Sequence, residues 1–331
     1  MADPVPSVPA EVAVLREQEW HARRDAHVER VREWTVPHQE RRARKEKHPV
    51  LDFLFTYYSY RPAHLERWHP GPGVALAGES AREYLRWPAY VETSDGVALA
   101  PLAANRRGTA EFVRDLLAAT ASRPPRLGCF GLHEWAMVYR SREIRHEAWP
   151  LRLGSEGTDA VVESSTIRCG HFDAFRFFTE PARPRNTLHP TRDGQIGMEQ
   201  PGCLHANMDL FKWAYKLDPH CPSKLVADCF ELAVDVRALD MRASPYDLSA
   251  LGYSPVRIET EEGRAEYVRA QSAFAARSMP LRERLISLCE TLLGSDEQVD
   301  PVRGDDGDQR GGRERQHPAG DDAARHAPAH R

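Results

Sequence analysis

The segment Ile167–Leu217 reads IRCGHFDAFRFFTEPARPRNTLHPTRDGQIGMEQPGCLHANMDLFKWAYKL. It contains an unusual density of side chains that can transfer protons or bind ligands. These side chains are His171, Asp173, Arg176, Arg183, Arg185, Asn186, His189, Arg192, Asp193, Gln195, Glu199, His205, Asn207 and Asp209. Long segments without regular structure in a compact domain are usually functional or disordered, and the apolar residues on both sides argue against disorder. The segment therefore predicts a functional site.

Short patterns at the two ends of this segment place polar groups side by side. A predicted strand, Thr166–Phe172, runs into His171-x-Asp173, and alternate residues of a strand point to the same face. That geometry suits an acid/base pair or two ligands of one metal. At the other end, Cys203–Leu217 has the spacing of a helix, on which His205 and Asp209 are neighbours at i and i+4. This second pair is either part of the site or an ordinary pair on a solvated face.

The two ends of the chain differ in composition from its middle. Met1–Ala10 is rich in proline, and Gly294–Arg331 is rich in glycine, aspartate, arginine and histidine with almost no large apolar residue. Such segments cannot bury enough surface to offset the entropy of ordering them. We therefore expect disorder in residues 1–10 and 294–331, around a single catalytic domain of residues 11–293. Deleting the C-terminal tail should leave the melting temperature unchanged.

Charge and cysteine content limit the classes of protein to consider. The chain has 331 residues and a formal net charge of -4, so its composition neither demands nor excludes a polyanionic partner. None of its six cysteines forms a CxxC pair, and no signal peptide or transmembrane run is present. These features predict a reduced, cytoplasmic protein with free thiols, no membrane association and no obligatory protein partner.

Hydrophobic periodicity predicts the secondary structure. Helical spacing occurs over Glu11–Arg32, Thr109–Thr120, Cys203–Leu217, Ser223–Asp240, Gly263–Arg277 and Pro280–Leu293. Alternating runs predict strands at Gly73–Ala77, Tyr90–Ala100, Pro150–Leu153, Asp159–Glu163, Thr166–Phe172 and Val256–Glu259, with a hairpin turn at Ser94-Asp95-Gly96. The predicted fold class is α+β, with a central antiparallel sheet flanked by N-terminal and C-terminal helices.

Charged residues cluster in two other places. A basic run, Arg41–His48, is either a solvated helix end or a patch that faces phosphates. The predicted helix Ser223–Asp240 carries Asp228, Glu231 and Asp235 on one stripe, where like charges repel. We expect Arg237 and Arg242, which are close in sequence, to be the partners of this stripe.

Aromatic and His-Glu patterns supply further candidate residues. His48–Pro62 (HPVLDFLFTYYSYRP) contains Tyr57, Tyr58, Tyr60 and Arg61, which form either a core or a stacking wall for a planar ligand. Leu127–Arg140 (LGCFGLHEWAMVYR) contains His133 and Glu134, but the second histidine of an HExxH motif is missing. Adjacent helical residues point about 100° apart. Glu134 is therefore a better candidate as a lone buried carboxylate than as part of a zinc motif.

Four stretches carry a resemblance that spans nearly the whole chain between its ends. HPVLDFLFTYYSYRP, GLHEWAMVYR, CLHANMDLFKWAYKL and LDMRASPYDL together resemble an actinobacterial family whose members usually carry the name 3-methyladenine DNA glycosylase. The resemblance implies a cofactor-free enzyme that acts on damaged DNA, flips an alkylated purine and assists N-glycosidic cleavage with a carboxylate.

The resemblance also implies roles for individual residues. Stacking would fall to Tyr57, Tyr58, Tyr60 and Trp135, the acid to Asp52, Glu134 or Asp173, and phosphate contacts to Arg183, Arg185 and Arg192. The candidate catalytic residues are Asp173, Glu134, His171 and His205, and the candidate substrate-binding residues are Tyr57, Tyr58, Tyr60, Arg61, Trp135, Arg183, Arg185 and Asn186. The chain lacks a helix-hairpin-helix signature, iron–sulphur cysteine spacing and a helical-repeat period. No catalytic residue is therefore carried over from the glycosylases that have them.

Two alternatives stand beside the glycosylase. The first is a metal-dependent enzyme that acts on a small molecule, because two histidines and one carboxylate with open positions suit non-haem iron or zinc. Its candidate ligands are His171, Asp173, His189, Glu199, His205 and Asp209. The second is a binding protein without catalytic activity. For an enzyme, we expect His171, Asp173 and His205 to share one pocket with Tyr58.

Overall fold

The computed structural model describes residues 12–141 and 148–294. The predicted disordered ends, 1–10 and 294–331, lie outside the described residues, except for Gly294, which is the last residue of α11. The α-helices are α1 Glu17–Ala43, α2 Phe53–Tyr57, α3 Pro62–Leu65, α4 Ala104–Ala121, α5 Leu132–Ala136, α6 Gly154–Ser164, α7 Phe172–Phe175, α8 Gln195–Met198, α9 Leu204–Lys216, α10 Ser223–Arg242 and α11 Glu261–Gly294. Short 3₁₀ helices occupy Glu79–Arg86, Arg183–Arg185 and Ser249–Leu251.

The centre of the molecule is helix α9, which the sequence predicts almost to the residue. All of α9 is buried except Lys212, Tyr215 and Lys216. Helix α10 packs along it, and α11 contacts α4, α9 and α10. A helix that is apolar on nearly every side has to be enclosed by other elements, so α9 places its few polar residues deep inside the protein.

A small mixed sheet accompanies these helices, and the α+β class is confirmed. Its strands, β1 Ala13–Leu15, β2 Val74–Leu76, β3 Tyr90–Thr93 and β4 Gly96–Leu99, lie in the order β1-β2-β4-β3. The predicted hairpin is present, with Tyr90 opposite Leu99 and Thr93 opposite Gly96. The β2–β4 pair is also antiparallel, whereas β1 joins β2 in parallel. The sheet packs a separate apolar cluster around Trp20, Trp68 and Tyr84.

The strands predicted between residues 150 and 172 are wrong. Gly154–Ser164 is helix α6, and Leu151 and Ile167 form only isolated bridges, to Tyr246 and Asn186. The buried residues of α6 are Thr158, Val161 and Val162, at i, i+3 and i+4. This spacing is helical, and the β-branched content of the segment concealed it. Val256–Glu259 is likewise not a strand.

Several predicted helices have different limits. The first helix begins at Glu17 and runs to Ala43, and α4 begins at Ala104 rather than Thr109. The two predicted C-terminal helices form one helix, α11, with Pro280 inside it. Its buried residues are Gly263, Tyr267, Gln271, Ala275, Ser278, Arg282, Leu285, Leu288, Cys289 and Leu292. That stripe keeps its phase across the proline, so packing on both sides holds the helix together despite one missing backbone donor.

The acidic stripe of α10 is neutralised by other arginines than those predicted. Arg30 of α1 binds Asp228 at 2.7 Å and Glu231 at 2.6 Å. Arg284 and Lys224 also contact Asp228, and Arg277 contacts Asp235. The stripe therefore joins α10 to α1 and α11, while Arg237 turns inward and Arg242 binds Glu266.

Among residues 12–141 and 148–294, no helix combines the length and apolar character that a membrane crossing requires.

Candidate functional site

Three buried side chains, one each from α5, α9 and α10, meet inside the protein. His133 lies on α5, His205 in the first turn of α9, and Asp240 near the end of α10. Nε2 of His133 donates to Oδ1 of Asp240 at 2.8 Å, and the His133 and His205 rings meet edge to face with centroids 4.5 Å apart. One potential ligand atom from each residue lies within 4.8 Å of the others.

The environment fixes the charge of this group, which we call the His133–His205–Asp240 cluster. Burial alone would raise the pKa of Asp240, but His133 beside it holds that pKa well below its usual range. Burial would lower the pKa of His133, and Asp240 overrides it, so that the pKa is raised. Burial and the neighbouring His133 both lower the pKa of His205, which is therefore a neutral imidazole.

Arg237 extends the cluster through a buried ion-pair network. Its Nη1 donates to Asp240 Oδ2 and to Glu134 Oε1, each at 2.8 Å. All three residues are at least 95% buried. One arginine between two carboxylates leaves an excess of one negative charge, which a protonated His133 offsets in this structure.

A third histidine, His171, also contacts His205. The two rings stack with centroids 5.2 Å apart and 27° between their planes. His171 is 1% exposed, and neither ring nitrogen has a hydrogen-bond partner within the described residues. Its Nε2 lies 3.4 Å from both Glu199 Oε1 and Asp209 Oδ2, at the outer limit of an ion pair. His171 therefore has unused hydrogen-bonding capacity in a buried position.

A chain of contacts runs outward from Asp209. Asp209 accepts from the Tyr58 hydroxyl at 2.6 Å and from Lys212 Nζ at 3.1 Å. Lys212 also donates to Asp173 at 2.8 Å, and Arg176 Nε lies 3.3 Å from that carboxylate. Burial would raise the pKa of Asp209, but Lys212 and His171 hold it well below its usual range. Asp173 is thus connected to His171 through Lys212 and Asp209.

Two cavities meet at His205. The first, of about 350 Å³, is lined by His133, His171 and Glu199 and by three cysteines, Cys129, Cys169 and Cys203, among others. The second, of about 320 Å³, is lined by Phe53, Tyr57, Glu134, Met137, Asp173, Ala174, Phe177, His205, Arg237 and Tyr246. Among the described residues, His205 is the one that lines both cavities.

The structure brings together many of the predicted catalytic and ligand residues. His171 and His205 share the first cavity, while Asp173 and His205 share the second with Glu134. His171 and Asp173 do not end a strand: His171 caps the short helix α7 and Asp173 lies in its first turn. Tyr58 lines neither cavity but bonds to Asp209. Of the alternative metal ligands, His189 is exposed and lines neither cavity.

Most of the predicted substrate-binding residues lie elsewhere. Tyr58, Tyr60 and Trp135 belong to the hydrophobic core, and only Tyr57 of the stacking wall lines a cavity. Arg61 and Arg183 are exposed, and Arg185 donates to the Tyr139 hydroxyl. Asn186 uses its amide on the backbone of Cys169 and Leu188. Asp52, the third acid candidate, is bound by His38, Arg41 and the His48 backbone.

The sequence does not single out Asp240 or Arg237 as site residues. Asp240 and His133 are separated by 107 positions, and no local spacing connects them. The available signal is that LDMRASPYDL, one of the stretches behind the resemblance, contains Asp240.

Comparisons with known protein families, with curated proteins and with solved structures found no match to this chain. The chemistry of the site therefore has to be inferred from its geometry.

Proposed function

We propose that this protein is a metal-dependent enzyme acting on a small molecule, with Fe(II) or Zn(II) held by His133, His205 and Asp240. The observation that carries the proposal is that two imidazoles and one carboxylate place ligand atoms within 4.8 Å of one another in a buried position. Two histidines and a carboxylate with open positions suit a catalytic iron or zinc ion.

The protonation states of two of the three residues support metal binding. Metals bind neutral imidazole and ionised carboxylate, and the environment favours those forms in His205 and Asp240. The His133–Asp240 hydrogen bond holds one proton between two potential ligand atoms. A metal would replace that proton. The affinity of the cluster for the metal should therefore increase with pH in the range where His133 gives up its proton.

Once His133 has given up its proton, the charge around the cluster also favours a cation. Glu134 and Asp240 share the single guanidinium of Arg237, and an uncompensated buried charge is costly. The second cavity reaches Glu134 and Arg237 directly. These residues would orient Asp240 from behind, as outer partners of metal ligands commonly do.

Metal analysis of the purified protein tests this proposal. We expect wild type to hold one equivalent of iron or zinc after reconstitution. His205→Ala should bind the metal more than about 100-fold more weakly, which exceeds the usual effect of removing an outer partner of a ligand. His205 makes no hydrogen bond within the described residues, so its removal should spare the fold. His189→Ala, which changes an exposed histidine, is the matched control. Failure of wild type to retain either metal, or equal retention by His205→Ala, contradicts the proposal.

A DNA glycosylase is the second candidate, and one observation favours it. The second cavity combines the aromatic rings of Phe53, Tyr57 and Phe177 with two carboxylates, Glu134 and Asp173. A flipped base would find stacking surfaces and an acidic group there. Both carboxylates are already paired with cations, Glu134 with Arg237 and Asp173 with Lys212. This pairing reduces their capacity to stabilise a developing positive charge and places the glycosylase second.

Release of methylated purine from alkylated duplex DNA tests the second candidate. If Asp173 is the working carboxylate, Asp173→Asn should lose about 10²–10⁴-fold in rate while keeping its melting temperature. Asp228→Asn, which breaks contacts between α10 and its neighbours, should change stability more than rate. A fully active Asp173→Asn would transfer the role to Glu134, and no base release by wild type would eliminate the candidate.

A further inference from the structure

The first cavity has an unbalanced set of charges at its opening. Arg126 and Arg168 line it and are exposed, so they lie where it meets solvent. Neither guanidinium has a carboxylate within ion-pair distance among the described residues. The carboxylate in the lining, Glu199, lies 3.4 Å from His171 and accepts from Gln195 at 2.6 Å. The positive charge of the two arginines is therefore available to a ligand.

The backbone beneath both arginines is fixed by amide side chains. Oε1 of Gln200 accepts from the Arg126 backbone N–H at 2.7 Å, and its Nε2 donates to the Arg126 carbonyl at 3.2 Å. On the other side, the Asn186 amide bonds in the same way to the N–H and carbonyl of Cys169, next to Arg168, at 2.8 and 2.9 Å. Two paired clamps of this kind fix the backbone at Arg126 and beside Arg168, so that less backbone entropy is lost when a ligand binds the guanidinium groups.

The interior of the cavity offers a second point of attachment. His133 and His205 of the proposed metal site line its inner part, together with His171, whose ring nitrogens have no hydrogen-bond partner in the part of the chain that the structure describes. Leu188, Met198 and Leu204 supply apolar surface between these groups and the arginines. The volume of about 350 Å³ is at the lower end of the range for small-molecule pockets.

We propose that the first cavity binds a small organic acid, with its carboxylate on Arg126 and Arg168 and its other end directed at the His133–His205–Asp240 cluster. Guanidinium groups pair with carboxylate and phosphate oxygens in a directed, two-pronged geometry. This inference rests on the proposed function, because it names the substrate class of that metal site. A cavity of this size admits a short acid and excludes a nucleic-acid strand.

Calorimetry on chelator-treated and metal-loaded wild type tests the inference. The probes are short mono- and dicarboxylic acids, their neutral amides, phenyl phosphate and a short single-stranded oligonucleotide. We expect an acid to bind the chelator-treated protein at least tenfold more tightly than its amide, and binding to weaken at least tenfold in Arg126→Met/Arg168→Met. Arg61→Met, which removes an exposed arginine outside both cavities, should bind like wild type. Melting curves of each variant establish that the fold is kept.

The outcomes separate this inference from the proposed function. If an acid binds but the protein retains no metal, the proposed metal enzyme is contradicted and the anion-binding cavity is supported. Metal retention without a preference for acids over amides, or unchanged affinity in the double variant, overturns the anion cavity alone. Tighter binding of phenyl phosphate than of any carboxylic acid assigns the arginines to a phosphate group and overturns the carboxylate assignment. Binding of the oligonucleotide alone overturns the small acid in favour of nucleic acid.

Discussion

Burial decides which ionisable side chains of this protein keep their charge. Asp218 and His69 illustrate the effect at a distance from the two cavities, where His69 Nε2 lies 3.6 Å from Asp218 Oδ1. Burial raises the pKa of Asp218 to about 6, and burial, with help from Arg67, lowers that of His69 to about 3. His69 is therefore neutral and Asp218 ionises only above about pH 6, so the two groups do not form an ion pair, because the desolvation penalty outweighs their attraction.

The raised pKa of Asp218 predicts that Asp218→Asn stabilises the folded protein in a pH-dependent way. In the unfolded chain this carboxyl ionises near 3.8, and in the folded chain near 6. Between these values the folded state binds more protons, so its free energy of unfolding falls as pH rises. Asp218→Asn removes that loss and should be stabilising by on the order of 1 kcal/mol above about pH 7, with little effect near pH 4.

Denaturant unfolding of both proteins from about pH 4 to pH 7 measures this difference. Asp193→Asn, at an exposed position, should follow wild type at every pH. A constant difference between Asp218→Asn and wild type over the range would show that Asp218 titrates as an ordinary carboxyl.

The start of helix α11 depends on a close contact between Gly263 and the backbone of Arg257. A Cβ at Gly263 would overlap the carbonyl of Arg257, and the residue is buried in the first turn of the helix. Gly108, in contrast, is an exposed residue of α4 with open space around it. The same substitution at the two positions should therefore have opposite effects on stability.

We expect Gly263→Ala to destabilise the protein by about 1–3 kcal/mol, as overpacking does. Gly108→Ala should stabilise it by roughly 0.5–1 kcal/mol, because alanine is the better helix former. Thermal melting of both variants measures the contrast. A neutral or stabilising Gly263→Ala would mean that α11 begins later in solution or that the Arg257 turn moves away.

Local spacing in the sequence explains which elements could be predicted. Helix α9 has a clear stripe, and the β3–β4 hairpin has a turn signal, and both are present. Helix α6 was concealed by its valines, although Thr158, Val161 and Val162 follow a helical period. Pro280 suggested a helix boundary, whereas the uninterrupted buried stripe of α11 gives the better indication of a single helix.

Across the chain as a whole, the site could be predicted only in part. His171, Glu199, His205 and Asp209 all come from the one segment whose polar density predicts a site, and they meet in the folded protein. The pairing of His133 with Asp240 spans 107 positions, and that of Arg30 with Asp228 spans 198. Such contacts depend on how α1, α5 and α10 pack and leave no periodic trace in the sequence.

The lining of both cavities by His205 has a thermodynamic consequence. A ligand that fixes the orientation of His205 from one cavity also fixes the wall of the other. Any resulting change in affinity must be reciprocal, since a first ligand alters the binding of a second by the same factor in either order. We therefore expect a ligand in one cavity to change the affinity of the other cavity for its own ligand through the shared His205 side chain.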